Sequence, residues 1–223
     1  MGMGGWSLVI PVKRLSVAKS RLAGYAGQRR GALALAFAAD TLAAAAACDA
    51  VGGIVVVTDE ESVAELVRSM GCLAFPDLPG AGLNAALAHG AAIAARHWPG
   101  IGVAALSGDL PALRSTELDL ALQAAGDGAP QRSAFVADSS GPGTTMLAAP
   151  TPAAFDPRFG PGSAAAHRLA GVVELSHLFI PSVRRDVDTA SDLAEAVTLG
   201  VGPNTRRVLE SMPARRAATS AAR

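Results

Sequence analysis

The chain has 223 residues, enough for one domain with a sizeable core, and 50% of them are hydrophobic against 17% charged, which excludes a disordered protein. Its 19 Lys and Arg balance 19 Asp and Glu, so there is no general basic face for nucleic acid and any anion site has to be local. Residues 1–5 are too short and uncharged for a signal peptide, and the apolar runs stop before the ~20 residues that span a membrane, so a cytoplasmic protein with no nucleic-acid or membrane partner is expected.

Residues 7–12, Ser-Leu-Val-Ile-Pro-Val, predict a buried strand, and four cations follow within residues 13–21. The two lysines of the chain, Lys13 and Lys19, both fall here, where a compact ammonium suits a phosphate oxygen; a solvated basic turn is the alternative. Alanine and leucine dominate residues 29–48 and predict a long helix against the sheet. Residues 53–58 predict a strand apolar on both faces, as in a covered parallel sheet, and Thr58 and Asp59 then end at the same edge as Lys13. A helix over 60–70, stopped by Gly71, and a short strand over 72–75 come next. Cys48 and Cys72 have no C-x-x-C spacing and read as two buried thiols, and His89, His97, His167 and His177 show no zinc-ligand pattern.

The turn-rich residues 76–82 lead into a helix over 83–97. Gly82 belongs to a glycine-rich approach that exposes N–H groups to a ligand; Asn84 is placed to read a ribose hydroxyl or a base edge, or else to satisfy main chain at the helix start. Residues 101–106 predict a buried strand that ends in Ser107-Gly108-Asp109-Leu110-Pro111. Asp109 is thereby held at the carboxyl edge, where open α/β sheets bind ligands, and is the best single metal-ligand candidate; a turn or cap role for the helix over 115–125 competes. After a polar linker over 126–132, two strands over 133–137 and 144–149 flank a turn. Thr144 and Thr145 are suited to give hydroxyl or main-chain donors to an oxyanion, although threonine is also simply common in strands.

Residues 160–165 match G-x-G-x-x-A with no strand before them, so the dinucleotide fingerprint fails its context. Gly160, Gly162 and Ser163 at the start of a helix over 164–170 still form an anion pocket. In 183–189, if extended, Asp186 and Asp188 share a face and repel unless a cation sits between them. Thr189 and Asp192 form a capping box for a helix to Leu199, and a last helix covers 203–211. The domain is expected over 1–211 with a disordered tail over 212–223. The chain has neither a P-loop nor G-x-S-x-G. A basic first loop, a strand-end aspartate, a late aspartate pair and two glycine-rich anion loops remain, a set that fits metal-assisted nucleotidyl transfer.

In this order, Pro11-Val12-Lys13, Ala18-Lys19-Ser20-Arg21-Leu22, Gly108-Asp109-Leu110-Pro111, Gly143-Thr144-Thr145, Phe159-Gly160-Pro161-Gly162-Ser163-Ala164 and Asp186-Val187-Asp188-Thr189 resemble a known family. It is that of the guanylyltransferases that activate 2-phospho-L-lactate or phosphoenolpyruvate in biosynthesis of the deazaflavin coenzyme F-420. The resemblance implies a single-domain α/β three-layer sandwich of the nucleotide-diphospho-sugar transferase type with a mostly parallel central sheet. It also implies Mg²⁺ held by Asp109, Asp186 and Asp188. A phosphorylated three-carbon acid would be held by Thr144, with Thr145 one position away, and by Gly160, Gly162 and Ser163. Lys13, Lys19, Ser20 and Arg21 would face the GTP phosphates, with Gly82 and Asn84 on the nucleotide. The implied reaction is attack of the acceptor's phosphate on the α-phosphorus of GTP. The Ala/Arg/Gly-heavy composition resembles actinobacterial proteins and ranks phosphoenolpyruvate first, 2-phospholactate second and 3-phosphoglycerate third. A downstream deazaflavin transferase is the implied partner, and a non-catalytic nucleotide-binding module is the rival reading.

Overall fold

A computed structural model describes residues 5–13, 22–78, 80–127 and 132–212. The chain runs through β1 (Trp6–Pro11), α1 (Ala23–Ala26), α2 (Arg30–Ala46), β2 (Val51–Val57), α3 (Glu61–Ser69), β3 (Leu73–Phe75), α4 (Leu83–His97) and β4 (Gly102–Leu106). It continues with α5 (Ser115–Asp127), β5 (Ala134–Ala137), β6 (Thr144–Ala149), α6 (Ser163–Leu169), β7 (Val173–Glu174), α7 (Pro181–Arg184), α8 (Ala190–Leu199) and α9 (Pro203–Glu210).

The strands form one seven-stranded sheet in the order β3-β2-β1-β4-β6-β5-β7. Every neighbouring pair is parallel except those of β6, which runs antiparallel to β4 and to β5. Side chains alternate across the pleat, so the central strands feed two cores. Leu8 and Ile10 of β1, Ile54 and Val56 of β2 and Leu106 of β4 pack with Leu42, Val63 and Leu118 of the helices α2, α3 and α5. Val9, Val55, Val103 and Leu147 face the other way, against Leu87 and Ile93 of α4 and Ala164 of α6. A third cluster joins Phe37 of α2 to Leu193, Ala196, Val201 and Val187 outside the sandwich proper. This is the expected single-domain, mostly parallel three-layer sandwich.

Several expectations shift. Cys48 is buried but Cys72 is only half-buried, because it stands at the end of the edge strand β3. The polar linker begins later, since α5 runs on to Asp127. The segment over 183–189 is not one extended run: Pro181–Arg184 is a helical turn whose start is fixed from α5, with Ser182 N–H and Oγ both donating to Glu117 Oε2 at 2.8 Å. The tail expected from 212 lies outside the described residues except Met212, which packs against the third cluster.

Candidate active site

Chain order reverses at the β1–β4 pair, since β2 and β3 lie on one side of β1 and the later strands beyond β4. In an open α/β sheet such a switch point splays the exits of the two central strands and leaves a crevice at their carboxyl ends. Here the ladder between β1 and β4 ends early. Pairing of β1 with β4 stops at Val9↔Ala105, while pairing with β2 continues to Pro11↔Val57. Val12 N–H donates to Val57 O at 2.9 Å, so the alternating main chain turns Pro11 toward β4, where proline has no N–H to give.

Two of the sequence-predicted residues emerge on the walls of this crevice. Lys13 leaves β1 exposed. Gly108 leaves β4 so close to β1 that a Cβ there would lie 3.0 Å from Pro11 O, and Asp109 follows it. The carbonyl of Asp109 accepts the Val187 N–H at 3.1 Å, and Val187 itself is fully buried. The main chain of the Asp186–Val187–Asp188 segment is therefore pinned directly against the β4 exit. The capping box of α8 uses Thr189 and Asp192, as its sequence predicts, so Asp186 and Asp188 are not the cap. The neighbouring arginines are committed to the fold: Arg184 donates to the carbonyls of Ala137 and Leu175, and Arg185 reaches Asp192 and Glu195. Burial pulls the Arg184 pKa below its ordinary value. No group of three or more His, Cys, Asp or Glu placed to hold one metal ion is found among the described residues. The expected triple of Asp109, Asp186 and Asp188 is thus brought together through its main chain, not as a closed cage.

Reversal of β6 brings its amino end to the same edge, where Ser107 N–H donates to Thr145 O at 2.8 Å. The two threonines then separate in role. Thr145 is fully buried with its hydroxyl 3.5 Å from Val136 O, whereas the Thr144 hydroxyl meets Nδ1 of His167 at 3.0 Å. Thr144 is thus the one whose side chain belongs to the edge. The loop before α6 closes over it: Ser163 N–H donates to Gly160 O and Ala164 N–H to Pro142 O, tying the loop to the β5–β6 turn. Gly160, at φ 131°, and Gly162, at φ 73°, adopt main-chain angles that glycine alone tolerates easily. Ser163 is buried at the first position of α6.

Asn84, expected on the nucleotide, spends both side-chain groups elsewhere. Its Nδ2 donates to Phe159 O at 3.0 Å and its Oδ1 accepts Phe159 N–H at 2.8 Å, so it satisfies main chain 75 residues away and anchors the Gly160 loop to α4. Gly82 stands at φ 98° before α4, whose first turn has no side-chain cap. Lys19, Ser20 and Arg21 lie outside the described residues. A cleft of about 450 Å³ lined by Thr58, Asp59, Glu60, Arg68 and Phe75 flanks the site at the ends of β2 and β3. Sequence reasoning passed over His167, whose fully buried ring also accepts the Arg158 N–H on Nε2 at 3.2 Å.

A doubly wound sheet with one reversed strand and this edge defines a nucleotidyltransferase fold of the nucleotide-diphospho-sugar transferase type. The fold is shared with a nucleotidyl transferase from Methanothermobacter thermautotrophicus (TM-score 0.55, 17% identity, 93% of this chain and 99% of that one). It is shared too with 4-diphosphocytidyl-2C-methyl-D-erythritol synthase from Anaerococcus prevotii (TM-score 0.57, 11% identity, 88% and 96%). Within that class the chain belongs to the family described as guanylyl transferase CofC like, whose model matches residues 6–221. Among its relatives is the phosphoenolpyruvate guanylyltransferase of Thermomonospora curvata, 51% identical over 209 residues that cover 94% of this chain and 90% of the relative. The phosphoenolpyruvate guanylyltransferase of Streptomyces scabiei is 52% identical over 205 residues, 90% of this chain and 94% of the relative.

Proposed function

We propose that this chain is a phosphoenolpyruvate guanylyltransferase of the cytoplasm, condensing GTP with phosphoenolpyruvate to enolpyruvoyl-2-diphospho-5'-guanosine and pyrophosphate in coenzyme F-420 biosynthesis. The observation that carries this reading is the 51–52% identity, over nine-tenths or more of both chains, to relatives bearing that name. The absence of any helix long and apolar enough to cross a membrane among the described residues is compatible with it. A phosphate oxygen of the acceptor forms a new bond to the α-phosphorus of GTP, the bond from that phosphorus to the bridging oxygen breaks, and pyrophosphate leaves. The acceptor is already ionised, so neither a protein nucleophile nor a general base is required.

Lys13 is assigned to the triphosphate, and Lys19 and Arg21 are assigned with it by their charge, which would offset that of the leaving pyrophosphate. The α4 amino terminus beyond Gly82 offers further N–H donors. Thr144, Gly160 and Ser163 hold the three-carbon acid. Asp109, Asp186 and Asp188 would hold Mg²⁺. Their oxygen-only donor set at the β4 exit suits a hard cation, and Mg²⁺ commonly takes one or two carboxylates and completes its shell with water and phosphate oxygens, so a three-carboxylate cage is not needed. When bound it would neutralise charge at the reacting phosphates. A downstream transferase that consumes the product is the partner this chemistry calls for.

The test is pyrophosphate release from GTP and Mg²⁺ with phosphoenolpyruvate, 2-phospho-L-lactate and 3-phosphoglycerate in turn, and with CTP and ATP replacing GTP. Release with phosphoenolpyruvate and GTP is expected, and Asp109→Asn or Asp188→Asn lowers it by about 100-fold or more with the melting temperature kept. Near-normal turnover in either variant refutes the metal assignment. Silence with all three acids refutes the enzyme.

A further inference from the structure

The His167 ring is the centre of a short hydrogen-bonded relay. It is buried between the rings of Phe135 and Phe159, at centroid distances of 5.4 and 5.5 Å. Its Nε2 receives the Arg158 main-chain N–H at 3.2 Å, and an amide N–H can only donate, so Nε2 carries no hydrogen. A neutral imidazole with a bare Nε2 bears its hydrogen on Nδ1. Nδ1–H therefore points to Thr144 Oγ1 at 3.0 Å and shares its hydrogen with the Ser163 main chain, a tautomer assigned from its partners. The Thr144 hydroxyl, filled as an acceptor from that side, turns its own hydrogen away from the ring.

We propose that His167 is a positioning residue which fixes the Thr144 hydroxyl as a hydrogen-bond donor to an anionic oxygen of the acceptor. This rests on the assignment of Thr144 to the acceptor made above. A free threonine hydroxyl rotates and serves equally as donor or acceptor. Facing a phosphate or carboxylate, which only accepts, half of that freedom is wasted, and a fixed donor loses less on binding. The same ring joins the two acceptor-side segments, since Thr144 opens β6 and Arg158 belongs to the loop before α6. Burial and the Arg158 charge both favour the uncharged ring that this arrangement needs.

Three variants and one spectrum test it. His167→Phe keeps the ring's shape and removes its hydrogen bonds; it should raise KM for phosphoenolpyruvate by about 10-fold or more while KM for GTP moves less than about 2-fold. His167→Asn, whose amide can occupy the Nδ1 position as a donor, should recover a large part of that loss. In a Thr144→Val background His167→Phe should add almost nothing, because the hydroxyl it positions is already gone. Equal rises in both KM values, or effects that multiply in the double variant, would make the residue merely structural and overturn the proposal. ¹⁵N chemical shifts of the substrate-free wild-type chain should show a protonated Nδ1 and a bare Nε2; an Nε2–H tautomer or an imidazolium at neutral pH overturns it without any appeal to activity. A wild type that uses none of the three acids removes the acceptor reading instead, and the spectrum still decides what His167 donates to.

Discussion

At His167, burial and the nearby Arg158 charge lower the imidazole pKa from 6.5, with Asp156 and a hydrogen bond to the Ser163 main chain opposing. Arg168, the next residue, is paired with Glu174 at 2.7 Å. A depressed native pKa means that the unfolded chain binds the proton first as pH falls. Stability is therefore complete above the ordinary value of 6.5 and is lost as pH drops from there toward the lowered native pKa. Urea unfolding between about pH 7 and about pH 5 should show this decline, and His167→Phe should flatten part of it. An unchanged slope in the variant would place the titration elsewhere. Asp109 is legible from sequence because a carboxylate directly after an apolar strand has one place to go. His167 is not, because its partners lie 9 and 23 residues away on elements that no local pattern brings together.

Elements with strong local signals appear where the sequence puts them: α4 matches its predicted bounds and β4 lacks only one residue of its own. Two of those that sequence did not foretell owe their existence to neighbours. Strand β7 has two residues and forms because Val173 N–H and Leu175 N–H find the carbonyls of Ser133 and Phe135. Helix α7 has four residues and too little propensity to stand alone; Glu117 of α5 holds its first turn, at 8% exposure and with Arg114 on its other oxygen. Glu117→Ala leaves the Ser182 N–H and hydroxyl without their buried acceptor and should cost about 2–3 kcal/mol of stability in urea melts. Turnover should fall as well, because α7 leads directly into the Asp186–Asp188 segment. A variant with wild-type stability would mean that α7 is held by packing alone.

Across the whole molecule, α9 is fastened to α2 by one buried carboxylate. Asp40 of α2 accepts from Asn204 N–H, Asn204 Nδ2 and Thr205 N–H at 2.8–3.0 Å, capping α9 from 164 residues away. Gly202 before it also donates to Pro111 O at 2.8 Å, which links α9 to the Asp109 loop. Asp40→Ala should remove about 2–3 kcal/mol and roughly 5–10 °C of melting temperature. Retention of the wild-type melting point would show that the cap is not a fastening. The sandwich is legible from β-branched strands alternating with helices; this long-range tie is not, since Asp40 reads in sequence as an ordinary polar position on a helix. The reversed strand β6 has a consequence of another kind. Under the proposed assignment the acceptor contacts all lie between the start of β6 and the start of α6, one unbroken stretch of chain, while the nucleotide contacts come from segments laid down earlier. Acceptor choice can therefore drift or be exchanged as a cassette during descent, with the nucleotide half inherited untouched.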